Sequence, residues 1–229
     1  MTVRLLLAAA GSGTRLGAER PKALVEIAGR PLLVWTLTRF HSMGLAAGAV
    51  VLATPGAISE FEATINAAAI DATVSVVEGG AERQLSVQNG LAALPDDTDI
   101  IIIHDAARPF VSRESVEAAV AAADEYGAAT VALPAVDTIL QADGDEFLEG
   151  TPSRTAMWLC QTPQVFRRDI IVESHEQARS DSNLTTDDAS LVKRYGHPVK
   201  LVPGHPLNFK ITTPADIAFA ETVIAKGLV

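Results

Sequence analysis

The 229-residue chain is short of cysteine, of aromatic side chains and of positive charge. Its one cysteine, Cys160, excludes an internal disulfide and suits a reducing, cytoplasmic compartment. Nothing near that thiol in sequence marks a nucleophile, so it reads as a small buried side chain. Lysine and arginine number 18 against 28 acidic residues, a net charge of −10. A chain this acidic is a poor general binder of nucleic acid, so any anion site must be a local concentration of cations. No apolar run approaches the ~20 residues that a membrane-spanning helix needs. At the N-terminus only Arg4 precedes a short apolar run ending at Gly11, so neither a signal peptide nor a span is expected there. No Cys/His spacing suggests zinc, and no Gly-x-Ser-x-Gly elbow suggests a serine hydrolase.

What the chain does have is apolar bulk in a regular rhythm. Hydrophobic residues make up 48%, enough for a substantial core. Strand-like and helix-like stretches alternate: a strand over Val3–Ala9, a helix over Pro31–Met43 stopped by Gly44, a strand over Ala49–Ala53, a helix over Ser59–Ala69, a strand over Thr73–Val77 and a helix over Arg83–Leu94. Four consecutive isoleucines, Ile100 to Ile103, sit in a strand over Asp99–His104, and such a run belongs in a sheet covered on both faces. A helix capped by Ser112 runs to Gly127, and Ala129–Leu133 is a further strand. The rhythm then breaks. Asp137–Gln141 and Glu146–Glu149 flank a Gly-containing turn with few core-grade residues, which predicts a hairpin arm suited to a second subunit. Beyond it come a strand over Ala156–Gln161 followed by Thr162-Pro163-Gln164, a helix over Arg168–Arg179, a polar loop over Ser180–Leu184, a helix capped by Thr186 and running to Tyr195, a strand over Val199–Val202 and a short extended piece over Asn208–Ile211. Thr213-Pro214-Ala215-Asp216 is a capping box with proline at the first helical position, opening the last helix. The expectation is one α/β domain over residues 1–229, a doubly wound, mostly parallel sheet with a protruding β-arm at about residues 136–159.

In such sheets ligands bind beyond the carboxyl ends of the strands, and polar residues recur at those ends here. The first strand runs into Ala9-Ala10-Gly11-Ser12-Gly13-Thr14-Arg15, with Lys22 seven positions after Arg15. A loop of small residues flanked by two cations offers backbone donors and positive side chains to a polyphosphate. The third strand runs into Gly79-Gly80-Ala81-Glu82-Arg83, with Ser86 following, and the isoleucine strand into His104-Asp105-Ala106-Ala107-Arg108-Pro109. Asp105 suits a metal ion or a substrate hydroxyl, or alternatively an ion pair with Arg108 three residues on. His104 reads as a hydrogen-bonded residue rather than a base, and Arg154, on the arm, as a solvated charge. The first loop is not a Walker A sequence, since no Gly-Lys-Ser/Thr follows. Nor is it a dinucleotide fingerprint, because Leu16 stands where a third glycine is needed.

Together these segments resemble the 2-C-methyl-D-erythritol 4-phosphate cytidylyltransferase family of the sugar-nucleotide transferase superfamily. Gly11-Ser12-Gly13-Thr14-Arg15-Leu16 with Pro21-Lys22 is similar to the superfamily's signature loop. Gly79–Arg83, His104–Pro109, Asp137-Thr138, Gln161-Thr162-Pro163-Gln164-x-Phe166, Thr186-Asp187-Asp188-Ala189-Ser190 and Asn208-Phe209-Lys210-Ile211-Thr212 narrow the resemblance over nearly the whole chain. One departure is Ala81, where some members carry aspartate.

The resemblance implies transfer of CMP from CTP to 2-C-methyl-D-erythritol 4-phosphate with Mg²⁺ or another divalent cation, in the non-mevalonate route to isoprenoids. It implies catalytic roles for Arg15, Lys22, Arg154 and Lys210. Ala9, Ala10, Gly11, Gly13, Gly80, Ala81, Arg83 and Ser86 would bind the nucleotide. Asp105, Ala106, Arg108 and Thr138 would bind the polyol phosphate, with Asp105 also near a metal held mostly by phosphate oxygens. Thr138 and Arg154 would come from the partner of a homodimer with shared sites. A cytidylyltransferase for another polyol phosphate, such as ribitol 5-phosphate, is the alternative within the class. A nicotinamide-dependent oxidoreductase and a non-catalytic nucleotide sensor are the alternatives outside it.

Overall fold

The computed structural model describes residues 1–13, 16–17, 20–181 and 184–229. In chain order the elements are β1 (Val3–Ala8), β2 (Glu26–Ile27), β3 (Arg30–Pro31), α1 (Leu32–Met43), β4 (Ala49–Ala53), α2 (Ile58–Ala67), β5 (Val74–Glu78), α3 (Arg83–Ala93), β6 (Ile100–Asp105), α4 (Arg113–Tyr126), β7 (Ala128–Pro134), β8 (Gln141–Ala142), β9 (Leu148–Gly150), β10 (Trp158–Arg167), α5 (Arg168–Ser180), α6 (Asp188–Arg194), β11 (Lys200–Pro203) and α7 (Pro214–Ala225). Seven strands form one sheet in the order β11-β7-β10-β6-β1-β4-β5. It is parallel except at β10, which runs antiparallel to both β6 and β7. The expected doubly wound, mostly parallel α/β sheet is what the chain forms.

Alternation along the central strands places apolar residues on both faces. Leu5, Leu7, Ile100 and Ile102 join one core with Leu33, Leu37, Phe61, Val116 and Ala119 from α1, α2 and α4. Leu6, Ile101 and Ile103 join the opposite core with Val87, Leu91, Ile171 and Val192 from α3, α5 and α6. Every residue of β6 is buried, as a strand covered on both sides requires. A third, smaller core joins Ile27 and Leu32 to Phe110, Ile211, Ala220 and Val223, and so ties α7 to the β2–β3 ribbon.

Several local readings need correction. The strand expected to end at Gln161 continues through Thr162-Pro163-Gln164 to Arg167, with its register shifted between Cys160 and Gln164. Inward side chains there find partners on both neighbours, so the proline does not end the strand. Helix α6 is capped by Asp187 rather than Thr186, its side chain accepting from Ser190 N. Pro31 is the residue before α1 rather than in its first turn. Residues 208–211 form no strand. Cys160 is exposed, not buried. The last helix agrees in detail: the Thr213–Asp216 capping box is complete, with proline at its start. The arm is a short β8–β9 ladder. Val136, Leu140, Phe147 and Leu148 around it are all more than 60% exposed, which leaves large apolar side chains on the surface of the arm. Among the described residues no helix is long and apolar enough to cross a membrane.

Candidate active site

A cavity of about 410 Å³ opens beyond the carboxyl ends of β1, β5 and β6. Ala9, Ala10, Gly11, Gly13, Lys22, Gly80, Ala81, Arg83, Ser86, Asp105, Ala106 and Lys210 all line it. Residues from four distant stretches of sequence therefore meet where the sheet topology predicts a ligand site. Arg15 lies outside the described residues. Arg108 stands one step behind the wall, and Thr138 and Arg154 stand apart from it on the arm.

The first loop closes on itself to place Lys22. Lys22 N donates to Gly11 O at 3.0 Å, and Leu16 N donates to Gly13 O at 2.8 Å. Gly13 has φ +77°, and a Cβ there would lie 3.2 Å from Arg20 O and 3.3 Å from the Lys22 backbone. Only glycine meets both demands without strain. The opposite wall depends on an equally close approach. A Cβ on Gly79 would lie 2.6 Å from the Ala10 Cβ and 2.9 Å from Ala53 O. Ser86 then holds the turn, its Oγ accepting from Gly80 N at 3.0 Å and donating to Glu82 O at 3.0 Å.

Asp105 is the electrostatic centre. Its carboxylate lies 2.8 Å from Lys210 Nζ, 3.6 Å from Arg108 Nε and 3.8 Å from Arg83 Nε. Burial alone would favour its neutral form, but Lys210 and Arg83 outweigh burial and hold it well below the usual carboxylate range. The pair with Arg108, the alternative reading of Asp105 from sequence, is present as one of three. Arg83 is likewise buried against its charge, and Asp188 and Asp105 more than restore it, raising its pKa. Among the described residues no three His, Cys, Asp or Glu side chains group as a metal cage. With Asp105 already engaged by three cations, the site suits a divalent ion carried on phosphate oxygens and not one held by the protein alone.

The strand end carrying Asp105 is fixed from below by His104, expected as a hydrogen-bonded residue, and by Thr162, which sequence reasoning left without a role. Asp105 N donates to Thr162 Oγ1 at 3.1 Å, and Thr162 Oγ1 lies 3.0 Å from His104 Nδ1. His104 Nε2 lies 3.0 Å from Arg108 O. Burial pushes the His104 pKa down to about 4. Neutral His104 thus donates from Nε2 and accepts at Nδ1 from the Thr162 hydroxyl, which accepts from Asp105 N. It is a structural link and not a base, as its sequence context suggests. Lys210 is held in place by its neighbours: Ile211 N donates to Ala107 O at 2.9 Å, and Asn208 Nδ2 donates to Thr162 O at 2.7 Å and Gln161 Oε1 at 3.2 Å. Arg108 Nη1 donates to Asn208 O at 2.8 Å. The Gln161-Thr162-Pro163-Gln164 stretch is therefore the brace of the site. The signal for it in sequence was four residues rich in hydrogen-bonding groups inside a core strand.

A family model for 2-C-methyl-D-erythritol 4-phosphate cytidylyltransferase matches residues 3–226. A relative of that name from Pelotomaculum thermopropionicum is 44% identical over 223 residues, covering 97% of this chain and 94% of its own length. One from Geobacillus thermodenitrificans is 43% identical over 228 residues, covering 100% and 99%. The crystal structure of 2-C-methyl-D-erythritol 4-phosphate cytidylyltransferase from Thermus thermophilus superposes with a TM-score of 0.82 at 37% identity, over 98% of this chain and 100% of that one. With a family match over nearly all its length and relatives above 40% identity, the chain belongs to the 2-C-methyl-D-erythritol 4-phosphate cytidylyltransferase family.

Proposed function

We propose that this protein transfers the cytidylyl group of CTP to 2-C-methyl-D-erythritol 4-phosphate, giving 4-diphosphocytidyl-2-C-methyl-D-erythritol and pyrophosphate. The observation that carries the reading is the cation set of Lys22, Arg83 and Lys210 gathered on one cavity walled largely by alanine, glycine and serine. A phosphate oxygen of the polyol attacks the α-phosphorus of CTP in line, the bond to the β-phosphate bridging oxygen breaks, and pyrophosphate leaves with that electron pair. The nucleophile is already ionised, so no base is needed. The barrier is repulsion between anions, and the protein lowers it by orientation and by fixed positive charge.

In this reading Lys22 and Arg15 meet the triphosphate and the charge that develops at the α-phosphorus. Ala9, Ala10, Gly11, Gly13, Gly80, Ala81, Arg83 and Ser86 form the nucleotide side. Asp105, Ala106, Arg108 and Lys210 form the polyol-phosphate side. Mg²⁺ or another divalent cation would be held mostly by phosphate oxygens, with Asp105 as a protein carboxylate able to meet it, and would supply charge neutralisation on the triphosphate. The protein acts as a homodimer in the cytoplasm, and Thr138 and Arg154 on the arm reach the partner's site. The apolar surface around Phe147 supports that pairing. Pyrophosphate release by purified protein with CTP, Mg²⁺ and the methylerythritol phosphate tests the reading. Faster turnover with ribitol 5-phosphate would overturn the substrate, and CTP binding without pyrophosphate release would overturn catalysis.

A further inference from the structure

The adjacent acids Asp187 and Asp188 belong to a motif for which the chemistry above has no use, and they do different work. Asp187 closes the start of α6, accepting from Ser190 N at 3.0 Å, Ser190 Oγ at 2.7 Å and Gln164 Nε2 at 3.1 Å. Asp188 is buried and turns towards the cavity wall. Its Oδ2 lies 2.5 Å from Arg83 Nη1, and its Oδ1 lies 3.3 Å from His175 Nε2. Gln164 fixes the backbone beneath it, its Oε1 accepting from Asp188 N at 3.0 Å and Ala189 N at 3.1 Å. Arg83 opens α3 and lines the cavity, and its only other carboxylate contact among the described residues is the 3.8 Å approach to Asp105.

We propose that Asp188 is the positioning residue for Arg83, and that His175 orients the Asp188 carboxylate from behind. This rests on the reading of the cavity as a nucleotide site. The distances set the order: Arg83 is anchored on Asp188 and only leans towards Asp105. Without the Asp188 charge, Asp105 becomes the nearest carboxylate. The guanidinium is then drawn across the cavity, where it competes with Lys210 and leaves the nucleotide side. His175 supports a role beyond packing. Its ring is buried with Nδ1 unpartnered among the described residues, a cost that an apolar side chain of similar size would avoid. What the imidazole supplies in return is its contact with Asp188.

The test uses Asp188→Asn, which keeps the shape and removes the charge, with His175→Gln as a milder second variant should the first fail to fold. In ¹⁵N-labelled protein the Arg83 Nε–H resonance, assigned by its loss in Arg83→Gln, is expected to leave its position in Asp188→Asn and to shift less far in His175→Gln. KM for CTP is expected to rise at least about tenfold in Asp188→Asn, the scale of effect that a displaced binding group produces. Added to Arg83→Gln, Asp188→Asn is expected to lower kcat/KM for CTP no further, because the two residues act as one. An unmoved Arg83 resonance, or losses that add in the double variant, overturns the proposal. Absence of CTP turnover in the wild type overturns the proposed function instead, and the resonance still decides the positioning.

Discussion

Single residues carry the site in two ways, by charge and by the lack of a side chain. Lys22 is the charge for which the loop is built: Gly11 O holds its backbone, and Gly13 leaves the space that a Cβ would fill at 3.3 Å from it. Lys22→Ala is expected to lower kcat by on the order of 10²–10³ with the thermal midpoint little changed, the usual effect of removing a group that stabilises developing charge. Steady-state kinetics beside a melting curve checks this, and near wild-type kcat would remove Lys22 from the chemistry. Gly13→Ala should act through the backbone instead. A left-handed residue with a Cβ costs about 1–2 kcal/mol, and the close approach to Arg20 O adds to that. The expected result is a lower denaturation midpoint together with weakened CTP binding. Wild-type stability in Gly13→Ala would mean that the loop tolerates the Cβ. Both residues were legible in the sequence, because a glycine and a lysine near a strand end announce themselves locally. Thr162 and Asp188 were not legible as functional. Their partners are Asp105 and His104 in one case and Arg83 and His175 in the other, and only the assembled sheet brings those side chains within reach.

Among the elements, those defined by local pattern match the sequence reading most closely. The isoleucine run of β6 and the capping box of α7 carry their own signals in periodicity and in cap chemistry. The longest misread strand was β10, expected to end at Gln161. Its antiparallel place between β6 and β7 is a decision of topology, and a Thr-Pro-Gln sequence resembles a turn until both neighbours are known to be strands. The arm is legible as a hairpin but completes nothing within one chain. Arg154 Nη1 donates to Val136 O at 2.6 Å, which keeps it folded along the arm base and away from its own cavity. Arg154→Ala is therefore expected to raise KM for the polyol phosphate several-fold more than KM for CTP, and equal losses would place the arm elsewhere. Phe147→Asp, on a residue 71% exposed, is expected to shift the protein towards monomer in sedimentation and to lower activity with it. A monomeric wild type would sink the shared-site reading outright.

For the whole molecule the governing fact is a cation cluster set in a chain of net charge −10, with its counter-charges buried. That arrangement ties folding to pH. His104 has its pKa lowered to about 4 by burial, so between about pH 6.5 and about pH 4 the unfolded chain holds a proton that the folded chain refuses. Stability then rises with pH across that window, and the contribution is lost as pH falls through it, up to about 3 kcal/mol. Asp105 and Asp188, both held below their ordinary values, extend the loss below about pH 4, because their stabilisation is present only where the unfolded carboxylates are ionised. Surface carboxylates act in the opposite sense, since approach to the pI of about 4.9 relieves self-repulsion. Guanidinium chloride unfolding separates the two, because the salt screens exposed charges and leaves the burial of His104 untouched. The unfolding free energy in that denaturant is expected to fall steadily from pH 7 towards pH 4.5 in the wild type. In His104→Gln, whatever its absolute stability, the slope should flatten across the same interval. An unchanged slope in that variant would mean that a different group carries the acid sensitivity, and that the link from His104 through Thr162 to the Asp105 backbone does not couple protonation to the integrity of the site.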